Sequence, residues 1–410
     1  MIMKVLSTVS KPADFLGLFL AAAVVLPFAG CSHPDHQGLP SSPVSPYAKW
    51  SRGPSTDPGY FPIAVWMQEP ALAARYKDAG FNTYVALPHP GPTEEHLAML
   101  KREGMKLICN QNEVGLKYLD DPTIIGWMQG DEPDIERPQG EGKGALPPIT
   151  PEQIIADYGK MRAADPSRPI FLNLAGDPDI IERGVRRGHT EDYPEYAKGC
   201  DIFSFDVYPV ANVRPEAVGK LWYVARGIER LIQWSDGRKV IWNCLECTGI
   251  NNVTRKPTPH EVRCETWMSI IHGSRGLVWF VHEFRPVLHE AGLFEDPEML
   301  ATVAALNRQI QSLASVINSP PLANAATVKS DSAAVPVALT VRQHGGATYL
   351  FAVSMRGEQT KASFHVAGRL ADAAAEVIGE HRSIPVRRGV FADQFNPWDV
   401  HLYRIPGMER

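Results

Sequence analysis

Between residues 60 and 281 short apolar runs alternate with stretches of helical character, and this alternation restricts the fold more than any other feature of the chain. Residues 60–66, 82–87, 105–109, 124–129 and 169–173 read as strands, as do 200–209, 239–246 and 276–281. The intervening helices are expected over 71–78, 93–103, 151–164, 218–234 and 259–272. Their ends carry the expected punctuation: Thr93 opens one helix, Gly80 and Gly104 close two others, and Pro151 sits in a first turn. A helix between successive strands carries the chain back to the same edge, so neighbouring strands must run parallel. Eight such units over about 225 residues match a (β/α)8 (TIM) barrel.

Past residue 318 the texture changes. A last helix over 299–317 gives way to alternating runs at 336–341, 347–353, 362–366 and 400–403, with His344-Gly345-Gly346 as a hairpin turn. We expect a small C-terminal antiparallel β-sandwich over 325–410, after a barrel over 59–318.

The first residues are not expected to join the fold. Lys4 and Lys11 precede an apolar segment, 15–28, that ends in Ala29-Gly30-Cys31 and is short for a spanning helix. Phe28-Ala29-Gly30-Cys31 resembles the lipobox of bacterial lipoproteins, which implies removal of a signal peptide (1–31) and lipidation of Cys31. Ser32 would then suit sorting to the outer membrane, placing the chain in the periplasm or at the cell surface. An ordinary secretory signal with an incidental Cys31 is the alternative. Residues 32–58, rich in Pro, Ser, Gly and His, read as a tether. With Cys31 set aside, five of six cysteines remain, so at least one thiol is expected to be free. Cys244 and Cys247 have CxxC spacing on a strand with no second pair, which favours small buried residues over zinc.

A net charge of -5 gives no electrostatic reason to expect nucleic acid or an anionic membrane surface as a partner. Membrane contact is expected only through the lipid anchor. No GxGxxG, P-loop or GxSxG follows a strand, and no HExxH or tight histidine spacing suggests a metal, so no cofactor is expected. Oligomeric state is left open.

In such a barrel the chemistry lies at the C-terminal ends of the strands. The polar residues there are Asn110, Gln111, Asn112, Asp131, Glu132, Asn173, Asp206, Tyr208, Asn243, Glu246, His282 and Glu283. Cleaving a glycosidic bond takes two carboxyl groups, one to protonate the leaving oxygen and one to stabilise or attack the anomeric carbon. Asp131-Glu132-Pro133 after strand four, Tyr208 after strand six and Glu246 ending strand seven resemble the constellation of clan A glycoside hydrolases, which are retaining (β/α)8 enzymes. Residues 263–276 are similar to the last helix and turn of bacterial β-galactosidase and agarase barrels.

The resemblance implies a retaining glycoside hydrolase that cleaves a β-linked oligo- or polysaccharide. Glu132 would be general acid/base and Glu246 nucleophile, with Tyr208 holding Glu246 ionised. Asp131 stands where most of these enzymes carry Asn, and its charge would raise the pKa of Glu132. Asn110, Asn112 and Asn173 would bind substrate, Trp279 would stack on a sugar ring, and His282 and Glu283 would line the site. The residues alone leave other readings open: Asp131-Glu132-Pro133 as a solvated turn, Glu246 as half of a buried ion pair, Tyr208 as a plain aromatic at the mouth. A non-catalytic carbohydrate-binding barrel is the competing function.

Overall fold

The computed structural model describes residues 45–138, 145–176, 191–369 and 371–407. The signal segment and Cys31 lie outside the described residues. Eight parallel strands form the barrel: β1 (Ile63–Trp66), β2 (Thr83–Val85), β3 (Lys106–Cys109), β4 (Ile124–Met128), β5 (Ile170–Ala175), β6 (Ile202–Asp206), β7 in two segments (Val240–Ile241 and Asn243–Glu246) and β8 (Leu277–Phe280). Each pairs with the next, β8 returns to β1, and Cys244 opposite Asp206 joins the second segment of β7 to β6, which closes the ring.

Strand periodicity sorts the side chains into two layers. Ala64, Trp66, Ile108, Phe171, Trp242 and Val278 fill the interior. Val65, Leu107, Trp127, Leu172, Phe205 and Trp279 face the surrounding helices. Both faces are therefore buried, which is why the strands read as continuous apolar runs rather than as alternations.

Two expectations change at the edges of the barrel. Tyr47 and Trp50, placed in the tether by composition, are buried among the barrel's interior side chains. The Tyr47 hydroxyl donates to Arg275 O at 2.7 Å and accepts from Trp242 Nε1 at 2.9 Å, and Arg52 N donates to Ser167 O. These partners lie at or near the N-terminal ends of the strands, so the segment stoppers the end away from the active face. Two aromatic rings, one with its hydroxyl bonded, gain more by burial than a Pro/Ser-rich context suggests. The helix expected over 299–317 is two, Pro297–Ser312 and Ala314–Ile317, and that expected from 218 begins at Tyr223.

The C-terminal strands form a sandwich: β9 (Ala326–Ser330), β10 (Val337–His344), β11 (Ala347–Ser354), β12 (Thr360–Val366), β13 (Ala373–Val377), β14 (Arg382–Val386), β15 (Val390–Phe395) and β16 (Val400–Pro406). One sheet has the order β9-β12-β15 and the other β10-β11-β16-β13-β14, all antiparallel. Phe351, Val353, Val400 and Leu402 belong to the same apolar cluster as the barrel's outer layer. Trp267 meets Phe351 edge-on at 5.2 Å, and Arg263 Nη1 donates to Val400 O. Among the described residues no helix is long and apolar enough to cross a membrane.

Candidate active site

A cavity of about 460 Å³ opens at the C-terminal ends of β4 to β8. Its acidic side is built by the turn after β4. Glu132 adopts a left-handed conformation (φ 42°), uncommon for a residue with a Cβ, and its N–H donates to Asn173 O at 3.1 Å. Asp134 anchors the turn from below: its Oδ1 accepts Ala175 N at 3.0 Å and its Oδ2 accepts the Tyr193 hydroxyl at 3.2 Å. Asn173, at the inner end of β5, donates from Nδ2 to Asp131 Oδ1 at 3.1 Å. Asp206 ends β6, opposite Ala175 on one side and Cys244 on the other, and its carboxyl contacts that of Glu132. Gly176 lets the chain after β5 pass close against the Asp206 backbone, because a Cβ there would lie 1.7 Å from Asp206 O.

Three carboxyls thus converge, and no ion pair to them is seen among the described residues. Burial and then the charge of Asp131 raise Glu132 to about 7. Burial, followed by Glu132 and Asp131, pushes Asp206 well above the carboxylate range. Two acids in contact cannot both ionise, so the Glu132–Asp206 pair keeps a proton near neutral pH. Asp131 opens to solvent on its cavity side, yet the protein around it still raises it to about 6, against the opposing bond from Asn173. The Tyr208 hydroxyl faces Asp206 and offsets part of its rise, but neither that hydroxyl nor Asp206 Oδ1 has a hydrogen bond of good geometry. Both polar atoms are buried at the cavity without a partner. Trp66, Phe280 and Phe284 supply aromatic walls, with Ile250, Asn212 and Arg214 completing the rim.

No family model matches the sequence, and no curated protein matches it. Solved structures do. A GH42 β-galactosidase from G. stearothermophilus superposes with a TM-score of 0.54 at 8% identity, covering 88% of this chain and 100% of that one. α-Galactosidase I from Mortierella vinacea gives 0.51 at 10%, covering 87% and 99%. An α-amylase from Geobacillus thermoleovorans gives 0.50 at 10%, covering 85% and 99%. The chain has a glycosidase-type barrel fold.

On this barrel Glu132, Asp131, Asn173 and Tyr208 meet in the cavity. Glu246 does not join them. It is fully buried and absent from the cavity lining, and its two oxygens accept Val210 N and Ala211 N at 2.7 and 2.6 Å, so the nucleophile role expected for it is corrected: the carboxyl is turned to the backbone behind the wall, out of reach of a bound molecule. It forms no ion pair with an arginine either, among the described residues. Trp279 is also displaced from its expected place. Its register puts it on the outer layer, where Nε1 donates to Asn307 Oδ1 at 3.0 Å, and the ring that reaches the cavity is its neighbour Phe280.

Asn112 caps the helix Glu113–Lys117 by accepting Gly115 N at 2.7 Å, and Asn110 donates weakly to Met128 O at 3.4 Å. Neither lines the cavity. His282 is buried on Gln68 and stacked on Phe284, with its pKa lowered by burial. Glu283 lines a separate small cleft with Lys256 and Asp296. Among the described residues no group of three His, Cys, Asp or Glu is arranged to hold a metal ion, and Cys109, Cys200, Cys244, Cys247 and Cys264 are free and buried.

Sequence reasoning gave no role to Asp206, Asp134 or Phe280, and weighed Trp66 for sugar stacking only behind Trp279. For Asp206 the signal was present, since it stands in the last inward position of a strand that ends at the active face.

Proposed function

We propose that the protein is a glycoside hydrolase whose acid chemistry resides in Glu132 and Asp206, with Asp131 as the ionised partner. The observation that carries this reading is the meeting of Asp131, Glu132 and Asp206 in one aromatic-walled cavity: burial and neighbouring charge raise Glu132 to about 7, which suits it to protonate a leaving glycosidic oxygen at neutral pH. Asp131, the least raised of the three acids and held by Asn173, supplies negative charge to an oxocarbenium-like centre. Trp66 and Phe280 offer apolar faces to sugar rings. Cleavage of a β-linkage with retention was implied by Glu246 as nucleophile; on the present geometry the second carboxyl is Asp131 or Asp206, and the stereochemistry belongs to the test. Anchoring to the outer membrane through Cys31 remains our proposal for where the enzyme works, supported by the residues around that cysteine.

One observation favours a second reading. Glu132 and Asp206 touch each other, whereas a hydrolase holds its two working carboxyls well apart, roughly 5 Å or more. A binding barrel would use them only as hydroxyl acceptors. Turnover of aryl α- and β-glycosides and polysaccharides should be measured for wild type, E132Q, D206N and D131N, with anomeric configuration followed by NMR. Loss of turnover in E132Q with sugar affinity retained supports the hydrolase; sugar binding without turnover in any form selects the binding barrel.

A further inference from the structure

A second pair of carboxyls lies behind the cavity wall, sealed from solvent, with Glu246 0% and Glu265 1% exposed. The amides that Glu246 accepts, from Val210 and Ala211, belong to the turn that directly follows Tyr208. Glu265 faces Glu246 from the helix Pro259–His272, and neither of its oxygens receives a hydrogen bond from an N–H, a hydroxyl or a cation. Four residues further along the same helix, Ser269 donates to Asn243 Oδ1, so the helix is stitched to the start of the second segment of β7. Glu265 consequently has little room to turn away from its partner.

Two anions in contact in a sealed site are far too costly to persist. Burial pushes both groups up, Glu246 to about 8 against its two backbone N–H bonds and Glu265 well above its usual value, so Glu246 is the first of the pair to ionise and Glu265 keeps its proton. The other titratable groups bearing on the pair are Glu261, one turn earlier on the same helix, and the thiols of Cys264 and Cys247. Among the described residues no lysine, arginine or histidine makes an ion pair with either carboxyl.

We propose that Glu265 is a positioning residue kept in its acid form, whose O–H donates to Glu246 and thereby fixes the Val210–Ala211 turn and the Tyr208 ring at the cavity. The inference rests on the reading that Tyr208 serves the active site. Its chemistry is conservative: no bond to carbon changes, and one proton sits between two oxygens. Ionising Glu265 would place a second charge in the pair and loosen the turn.

The test compares E265Q and E265L in the full chain. The glutamine amide donates to Glu246 as the acid does but cannot ionise; leucine fills the space and donates nothing. E265Q is expected to keep kcat at neutral pH within about twofold, while E265L loses about tenfold or more in kcat, the scale of a misplaced site group. Infrared spectra of substrate-free protein should show a protonated-carboxyl band in wild type that E265Q lacks. An unchanged band, an E265Q as damaged as E265L, or a harmless E265L each overturns the proposal. Because the infrared signature needs no turnover, its failure is separable from failure of the glycosidase reading.

Discussion

The barrel contains two contacting pairs of acids that differ in what surrounds them. Glu132 and Asp206 lie at the base of an open cavity, beside a third acid, Asp131, and an unsatisfied tyrosine hydroxyl. Glu246 and Glu265 are closed off, and the only donors that reach them are two amides of one turn. Both pairs hold a proton for the same reason, the cost of burying two charges together. Only the first can give its proton to something that comes and goes. A contact between carboxyls is thus not in itself a catalytic signature; access to a ligand distinguishes the two.

Substitutions should separate the pairs. The largest effect is expected from E132Q, which removes the exchangeable proton: kcat should fall by roughly 10²–10⁴, the usual worth of general acid catalysis, with KM little changed. If E246Q proves equally severe at unchanged stability, the distinction between the pairs fails.

Next comes the pH profile. The rate requires Asp131 ionised and Glu132 protonated, so kcat/KM of the wild type should rise through about 6 and fall through about 7. D131N should lose the acid limb alone. A single-limbed wild-type profile would separate Asp131 from the chemistry.

E246Q should act mainly on stability. The glutamine NH₂ would oppose one of the two amides now bonded, and leaving a buried donor unpaired costs about 1–3 kcal/mol. Denaturant midpoints for E246Q beside E132Q would measure the contrast. For Glu132 the sign is opposite. Its pKa is raised in the folded state to about 7, so the fold binds the proton more tightly than the unfolded chain does; that contribution is full below the unfolded pKa and is lost as pH rises through about 7. E132Q should therefore flatten the decline in stability between acidic and neutral pH.

The smallest effect is expected from W279F. The ring keeps its packing but loses the bond to Asn307, about 1 kcal/mol of stability, with KM unchanged because the ring faces the helices. A large rise in KM would return Trp279 to the site.

Much of this was legible in the sequence, and the failures have physical causes. The barrel could be read because buried parallel strands are apolar on both faces and their helices carry capping residues. Asp131 and Glu132 could be read because two acids at the end of such a strand have few other uses. Trp279 was misplaced by one residue, since a strand apolar on both faces carries no alternation to show which side faces in, and Phe280 is as apolar as its neighbour. Glu246 was misjudged for a different reason: it holds the inward parity of Cys244, and only the course of the 207–211 turn brings two amides onto its carboxyl. Asn112 was taken for a ligand although Asn before Glu113 also has the makings of a helix cap. Strands β13 to β15 were not singled out because their outward positions are polar or small and their inward ones few.

The stopper formed by Tyr47 and Trp50 bears on traffic. With those rings buried at one end of the barrel and side chains packed along its interior, the cavity is a cup with a single door. On the proposed reading, substrate arrives and product departs past the same rim of Trp66, Phe280 and Phe284. A bulky fragment that lingers there bars the next molecule from the acids beneath it, so occupancy of the mouth and the rate of exit are bound to govern each other.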